Sequence, residues 1–383
     1  MKFIKKHKIL VFFIICFILG FIMMPLFHGG YINNFLNSYT SVKWYYHILL
    51  VLGVFLLTLI LHELTHFLTF VFSGFENEAL IILVFVFYKL KGRWKLKVDF
   101  KLLALGGGLA FPNLGIINND EDYKKAKKAT LKSLIIAPLF TLISGLVFFS
   151  VVAIFFYKYP FLLVISLYYL LFSLFYTYAS TIETANIKGD FKAYKHVKND
   201  TVFASLVVFQ YAEVSEYTYN RAKEILFDLP LKNDLIQASF LSLVTEKQVF
   251  EDDIVDIEVY NYLYSYLNKP TFRRLLFSYD NFKVAQSLML YFNKCGFTDN
   301  VAEMFSLFKR RLMSLNIKDN QKSFLLKQTL HILEWENNAD FINDPKNMLD
   351  GDLSFIIKHI PSFIEGELNR NKGVKHFILE CKI

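Results

Sequence analysis

Leu61-His62-Glu63-Leu64-Thr65-His66 stands inside an apolar run that extends from about His47 to Phe72. A run of that length crosses a bilayer as a helix. On a helix, His62 and His66 lie on one face, one turn apart. Two imidazoles so spaced can bind one Zn²⁺, and Glu63 beside them can take a proton from a water activated by the ion. With nine His in the chain, the pattern H-E-x-x-H arises by chance in roughly one chain in a hundred of this length. The plain alternative is a His-Glu-His trio that satisfies itself inside a helical bundle. Three ionisable residues in so apolar a segment speak against it, because such groups are expensive in a membrane and usually functional.

The rest of the chain fits a membrane setting. Of 383 residues, 54% are hydrophobic, with 42 Phe and 22 Tyr, which is too apolar for an ordinary soluble protein. The net charge of +8 follows from where the lysines fall and implies no nucleic-acid partner. Cys16, Cys295 and Cys381 are far apart, so they form neither a zinc cluster nor a disulfide framework. The abundance of Asn, Lys, Ile and Phe fits an AT-rich genome and a bacterial source.

Met1 to Lys8 is basic and leads into a first span over residues 9–27, too long and bulky for a cleaved signal peptide. Residues 28–46, with one lysine, read as an outer loop, and 47–73 as a second span that Gly74 terminates. A third span over 131–157, the tight turn Lys158-Tyr159-Pro160 and a fourth span over 161–185 complete the set. Lys124, Lys125, Lys127, Lys128 and Lys132 mark 118–132 as an inner loop. The expectation is a multi-pass protein of the cell membrane with both termini cytoplasmic. His62 then lies about 22 Å from the outer end of its helix, in the inner half of the bilayer.

Between spans two and three the period changes. Ala79–Leu90 is a β-type apolar run, Lys95–Leu102 alternates, and Lys91-Gly92-Arg93 reads as a turn. These predict a β-hairpin at about 79–104 on the membrane surface, with a short membrane helix at Ala79–Tyr88 as the alternative. Gly106, Gly107 and Gly108 follow, as a site of close backbone approach or as a flexible turn. The fold class expected is a mainly α membrane protein with four spans and a small surface hairpin or sheet. Residues 1–195 would form the membrane-embedded domain. Residues 200–383, with shorter apolar runs and interleaved charge, would form a cytosolic helical domain of repeat-like helix pairs. Its Tyr and Phe would build a core or line a groove for a cytosolic protein partner.

A catalytic zinc needs a third protein ligand. His66 is followed by Phe67-Leu68-Thr69-Phe70, so the third-histidine extension of some soluble zinc proteases is missing. Candidates near the inner face are Glu183 and Asp190, with Glu76, Glu78 and Asp99 behind them.

From about Ile48 to Lys195 the chain resembles the site-2 proteases, a family of intramembrane zinc metalloproteases. His62-Glu63-Leu64-Thr65-His66-Phe67 matches the family's zinc helix, and Leu105-Gly106-Gly107-Gly108 its glycine element after a small sheet. Ala137-Pro138-Leu139-Phe140-Thr141 stands where the family has Gly-Pro-x-x-Asn, with Ala for Gly and Thr for Asn. Asn186-Ile187-Lys188-Gly189-Asp190-Phe191 stands where an Asn…Asp-Gly motif supplies the third ligand, with Phe in place of the final Gly. The resemblance implies one Zn²⁺ per chain held by His62, His66 and Asp190. It also implies Glu63 as catalytic residue, with Gly106 and Gly107 beside a substrate-binding strand edge. The implied substrate is a transmembrane or membrane-associated peptide within the lipid bilayer. For Asp190 to reach the histidines, the fourth helix must break near Asn186–Gly189 and fold back. Two other readings stay open: a zinc protease of another class with Glu183 as ligand, and a non-catalytic membrane scaffold that acts through residues 200–383.

Overall fold

A computed structural model of the chain describes residues 31–105, 107–184, 188–229, 235–250, 255–277, 281–344, 346–348 and 360–371. The expected first span at 9–27 and Gly106 lie outside the described residues.

The described residues are mostly helical, with one antiparallel sheet of four strands among them. Among the described residues, three helices are long and apolar enough to cross a membrane: α2 (Trp44–Phe72), α3 (Asp120–Phe155) and α4 (Pro160–Ala179). They match the second, third and fourth expected spans with shifted ends. The lysine-rich stretch 118–132 is not a loop along its length, because from Asp120 it is the first part of α3. Asp120, Glu121 and Asp122 in the first turn favour that start. The fourth span stops at Ala179 rather than continuing to 185. The expected outer loop contains a helix, α1 (Tyr31–Ser41).

The chain divides into two compact units, and the division cuts α2 and α3. One unit holds the described residues up to Thr65 together with Ile135–Lys192. Here α4 packs closely on α3: a Cβ on Gly145 would sit 2.7 Å from the Ser173 Cβ, so only glycine permits that approach. Ser144 Oγ and Tyr169 Oη are 2.7 Å apart across the same contact. Phe55 of α2 meets Phe172 and Tyr176 of α4, with ring centroids 5.4 and 6.1 Å apart. Leu49, Leu52, Ile143 and Phe175 are exposed on these helices, as lipid-facing residues are.

The other unit holds His66–Leu134 and Ala193 onward. In it α2 ends with Gly74 at φ +80°. The Gly74 N–H donates to Val71 O and the Phe75 N–H to Phe70 O, the paired closure that a left-handed glycine allows. The strands β1 (Glu76–Ile82), β2 (Phe85–Leu90), β3 (Arg93–Val98) and β4 (Gly108–Asn113) follow in sheet order β3-β2-β1-β4. The expected turn closes β2 on β3: Leu90 pairs with Arg93, and Lys91 and Gly92 have φ of 48° and 75°, a two-residue turn of the favoured hand. The hairpin is nonetheless only half of the sheet. Ala79–Leu90 is two strands, folded at Leu83 (φ 51°), and the glycine segment leads into β4, which pairs with β1. The alternation at Lys95–Leu102 stops at Val98, and Phe100–Leu105 is a 3₁₀ turn.

The remaining helices are α5 (Asp190–Asn199), α6 (Thr201–Phe209), α7 (Glu216–Asp228), α8 (Leu235–Phe250), α9 (Ile257–Tyr264), α10 (Lys269–Leu275), α11 (Phe282–Lys294), α12 (Thr298–Ser314), α13 (Asp319–Ile332), α14 (Ala339–Ile342) and α15 (Pro361–Asn371). Their core is aromatic, with Phe240, Phe272, Phe282, Tyr291, Phe292 and Phe308 fully buried. These residues are core, as packing of Phe and Tyr predicts.

Candidate metal centre

α2 presents His62 and Glu63 to the interior of its unit, 5% and 7% exposed. Each histidine of the motif has its Nδ1 engaged. His62 Nδ1 lies 3.1 Å from Thr141 Oγ1, and His66 Nδ1 lies 2.9 Å from Ser133 Oγ. Both hydroxyls are on α3, eight residues apart, with Ala137 between them. That separation is twice the spacing of the histidines and keeps both hydroxyls on one side of α3, where they meet the His62–His66 face of α2. Thr141 donates its own proton to Ala137 O at 2.9 Å. It therefore accepts from His62 Nδ1–H, which makes His62 Nε2 the atom that could ligate a metal ion.

Asp190 arrives from the far end of α4. The helix stops at Ala179, and the chain doubles back through Glu183, which bridges to Lys188. Gly189 N donates to Ile182 O at 2.9 Å and Phe191 N to Ser180 O at 3.0 Å. Asp190 then opens α5, its Oδ2 accepting from Ser180 Oγ at 3.3 Å. Helix α4 thus ends at Ala179, well before the break expected near Asn186–Gly189. Ala185, Asn186 and Ile187 lie outside the described residues.

The result is a short contact: His62 Nε2 to Asp190 Oδ2 is 3.2 Å. One donor atom each from His62, His66 and Asp190 lies within 4.8 Å of the others. Ligand atoms about 2 Å from a tetrahedral zinc are roughly 3.3 Å apart, so the His62–Asp190 pair already has the spacing of two ligands on one ion. With Nδ1 protonated toward Thr141, Nε2 and a carboxylate oxygen face each other as two acceptors. Such a pair requires a cation between them, either a proton or a metal. The donor set of two imidazoles and one carboxylate suits zinc. Glu63 sits within electrostatic reach of both His62 and Asp190.

The other acidic candidates are occupied elsewhere. Glu183 pairs with Lys188 at 2.6 Å and Lys192 at 3.7 Å. Glu76 pairs with Lys89, Glu78 accepts from Asn113, and Asp99 accepts from the Lys101 amide. Gly107 O accepts from Leu83 N at 3.1 Å and so helps to close the sheet. Ser133 carried no functional signal in the sequence except its spacing from Thr141, and Tyr176 none at all.

No protein family, curated protein or solved structure matches the chain.

Proposed function

We propose that the chain is an intramembrane zinc metalloendopeptidase of the kind that its motifs resemble. The observation that carries this is the convergence of His62, His66 and Asp190 donor atoms within 4.8 Å, beside a buried Glu63. One Zn²⁺ per chain would be held by those three residues, and when bound it supplies a water that is acidic near neutral pH and a Lewis acid for a carbonyl oxygen. Glu63 takes a proton from the attacking water as the new C–O bond forms, and delivers it to the leaving nitrogen as the C–N bond breaks. Thr141 and Ser133 keep the two imidazole rings in their ligating orientation.

The substrate is a membrane-anchored protein or peptide precursor cut near the cytosolic face. A helical substrate hides its amides in its own hydrogen bonds and must unwind before cleavage. β4 is an edge strand that follows Gly107, and an extended segment can add to such an edge by main-chain hydrogen bonds. With the span at 9–27, the topology is four-span with both termini cytoplasmic. Residues 200–383 are then a cytosolic helical domain able to engage a protein partner.

The test compares membrane peptides from bacterial cells carrying wild type and Glu63→Gln, by mass spectrometry. An uncleaved precursor should accumulate with Glu63→Gln, and identical peptide profiles would reject the proposal. A second reading is favoured by the same 3.2 Å contact. A metal-free imidazolium–carboxylate pair would also hold His62 on Asp190, as in a non-catalytic scaffold. Protein purified without added metal and without chelator separates the two, with about one zinc per chain against none.

A further inference from the structure

The hydroxyl of Tyr176 is buried and has no hydrogen-bond partner among the described residues. A buried hydroxyl in that condition is expensive and calls for an explanation. Other inward tyrosines of α4 have partners: Tyr168 Oη is 2.8 Å from His47 Nδ1, and Tyr169 Oη is 2.7 Å from Ser144 Oγ. Tyr176 is also fixed in place. Its ring stacks on His62, with centroids 5.6 Å apart and planes 22° apart, and on Phe55 at 6.1 Å and 25°. Its hydroxyl lies within electrostatic reach of the Glu63 carboxylate. An unsatisfied donor is thus held rigidly over the ring that ligates at Nε2, beside the proposed base.

We infer that Tyr176 is a catalytic residue whose O–H donates a hydrogen bond to the oxygen of the scissile carbonyl. This rests on the peptidase proposed above. The bond strengthens as the attacking water adds to the carbonyl carbon and negative charge gathers on that oxygen. The proton stays on the phenol throughout, so no further acid or base is needed. A donor already in place and shielded from water costs no reorganisation when the charge appears. The absence of a partner in the resting site is what such a role demands, because a hydroxyl committed elsewhere would have to break a bond first.

The experiment uses the full chain in detergent micelles and a fluorogenic reporter built on the precursor that accumulates with Glu63→Gln. Its second probe is a phosphinic analogue of the same cleavage site, which mimics the tetrahedral species. Tyr176→Phe removes only the hydroxyl. It should lower kcat about a hundred- to a thousandfold, leave KM and bound zinc unchanged, and weaken the phosphinic peptide by a similar factor. The intact peptide should bind Glu63→Gln equally well with and without Tyr176→Phe. Tyr169→Phe, which removes a partnered hydroxyl, should change neither kcat nor phosphinic-peptide affinity. Wild-type kcat and phosphinic affinity in Tyr176→Phe would overturn the inference and leave the peptidase standing. Loss of zinc in Tyr176→Phe would also overturn it, since the ring would then act by packing on His62. If wild type neither cleaves the reporter nor binds the phosphinic peptide, the peptidase fails, and the role of Tyr176 fails with it.

Discussion

Gly189 lies where the chain doubles back onto the end of α4, and a Cβ built there would sit 2.7 Å from the carbonyl carbon and oxygen of Ser180. Those atoms are backbone and cannot swing aside. Gly189→Ala should therefore displace the neighbouring Asp190 and lower zinc content, although no donor atom is removed. Gly53→Ala, which meets nothing within 4 Å, should retain full zinc, as read by elemental analysis of purified protein. The identity of the third ligand belongs to the same scale. Asp190→Asn should abolish stoichiometric zinc, because it replaces the carboxylate that stands 3.2 Å from His62. Glu183→Gln should leave zinc intact, since Glu183 is engaged by Lys188 and Lys192. The reverse pattern would move the ligand to Glu183.

At the scale of elements, helix ends set how the helices after α4 dock. Asp256 caps α9, accepting from the amides of Glu258 at 3.0 Å and Val259 at 3.3 Å, and from Lys223 Nζ at 2.8 Å. Burial pushes its carboxyl up, but the Lys223 ammonium, the Val259 amide and the Tyr219 hydroxyl together hold it below its ordinary 3.8. A carboxyl depressed in the folded state stabilises above its unfolded pKa, and that stability is lost as pH falls through the folded value. Asp256→Ala should cost about 1 kcal/mol at neutral pH from the cap alone. The gap between wild type and variant should narrow as pH drops below about 4. Denaturant unfolding at pH 7 and pH 3 checks both points, and a gap that widens in acid would contradict the assignment.

At the scale of the molecule, α15 ties distant parts of its unit together. Glu367 accepts from Lys283 Nζ through both oxygens, at 2.9 and 2.6 Å. Arg370 meets Glu246 at 2.9 Å and also Ser287, and Gln328 donates to Asn371 at 2.6 Å. Just before the helix, Ile360 is fully buried in a cluster with Ala79, Ile81 and Val86 of the sheet. Helix α15 and the residue before it thus join the sheet to the helices α8, α11 and α13 through one polar network and one apolar plug. Glu367→Ala removes the carboxylate of a largely buried pair and should destabilise the unit by about 2–3 kcal/mol. A lower denaturant midpoint, with zinc content unchanged, is the expected outcome. An unchanged midpoint would mean that the Glu367–Lys283 pair contributes nothing to the unit's stability.

Local regularities were legible before any coordinates. The i, i+4 spacing placed His62 and His66 on one helical face, long apolar runs marked α2, α3 and α4, and Lys91-Gly92 marked a tight turn. All of these depend on covalent geometry within a few residues or on the affinity of an apolar segment for lipid. Tertiary structure alone decided the pairing of β4 with β1, the service of Thr141 and Ser133 to the imidazoles, the approach of Asp190 over Gly189, and the unpartnered Tyr176 hydroxyl. Each of these turns on how residues distant along the chain or on separate elements come together. Such contacts depend on which helix faces and strand edges come together when the molecule packs, and no repeat or spacing within a single segment encodes that.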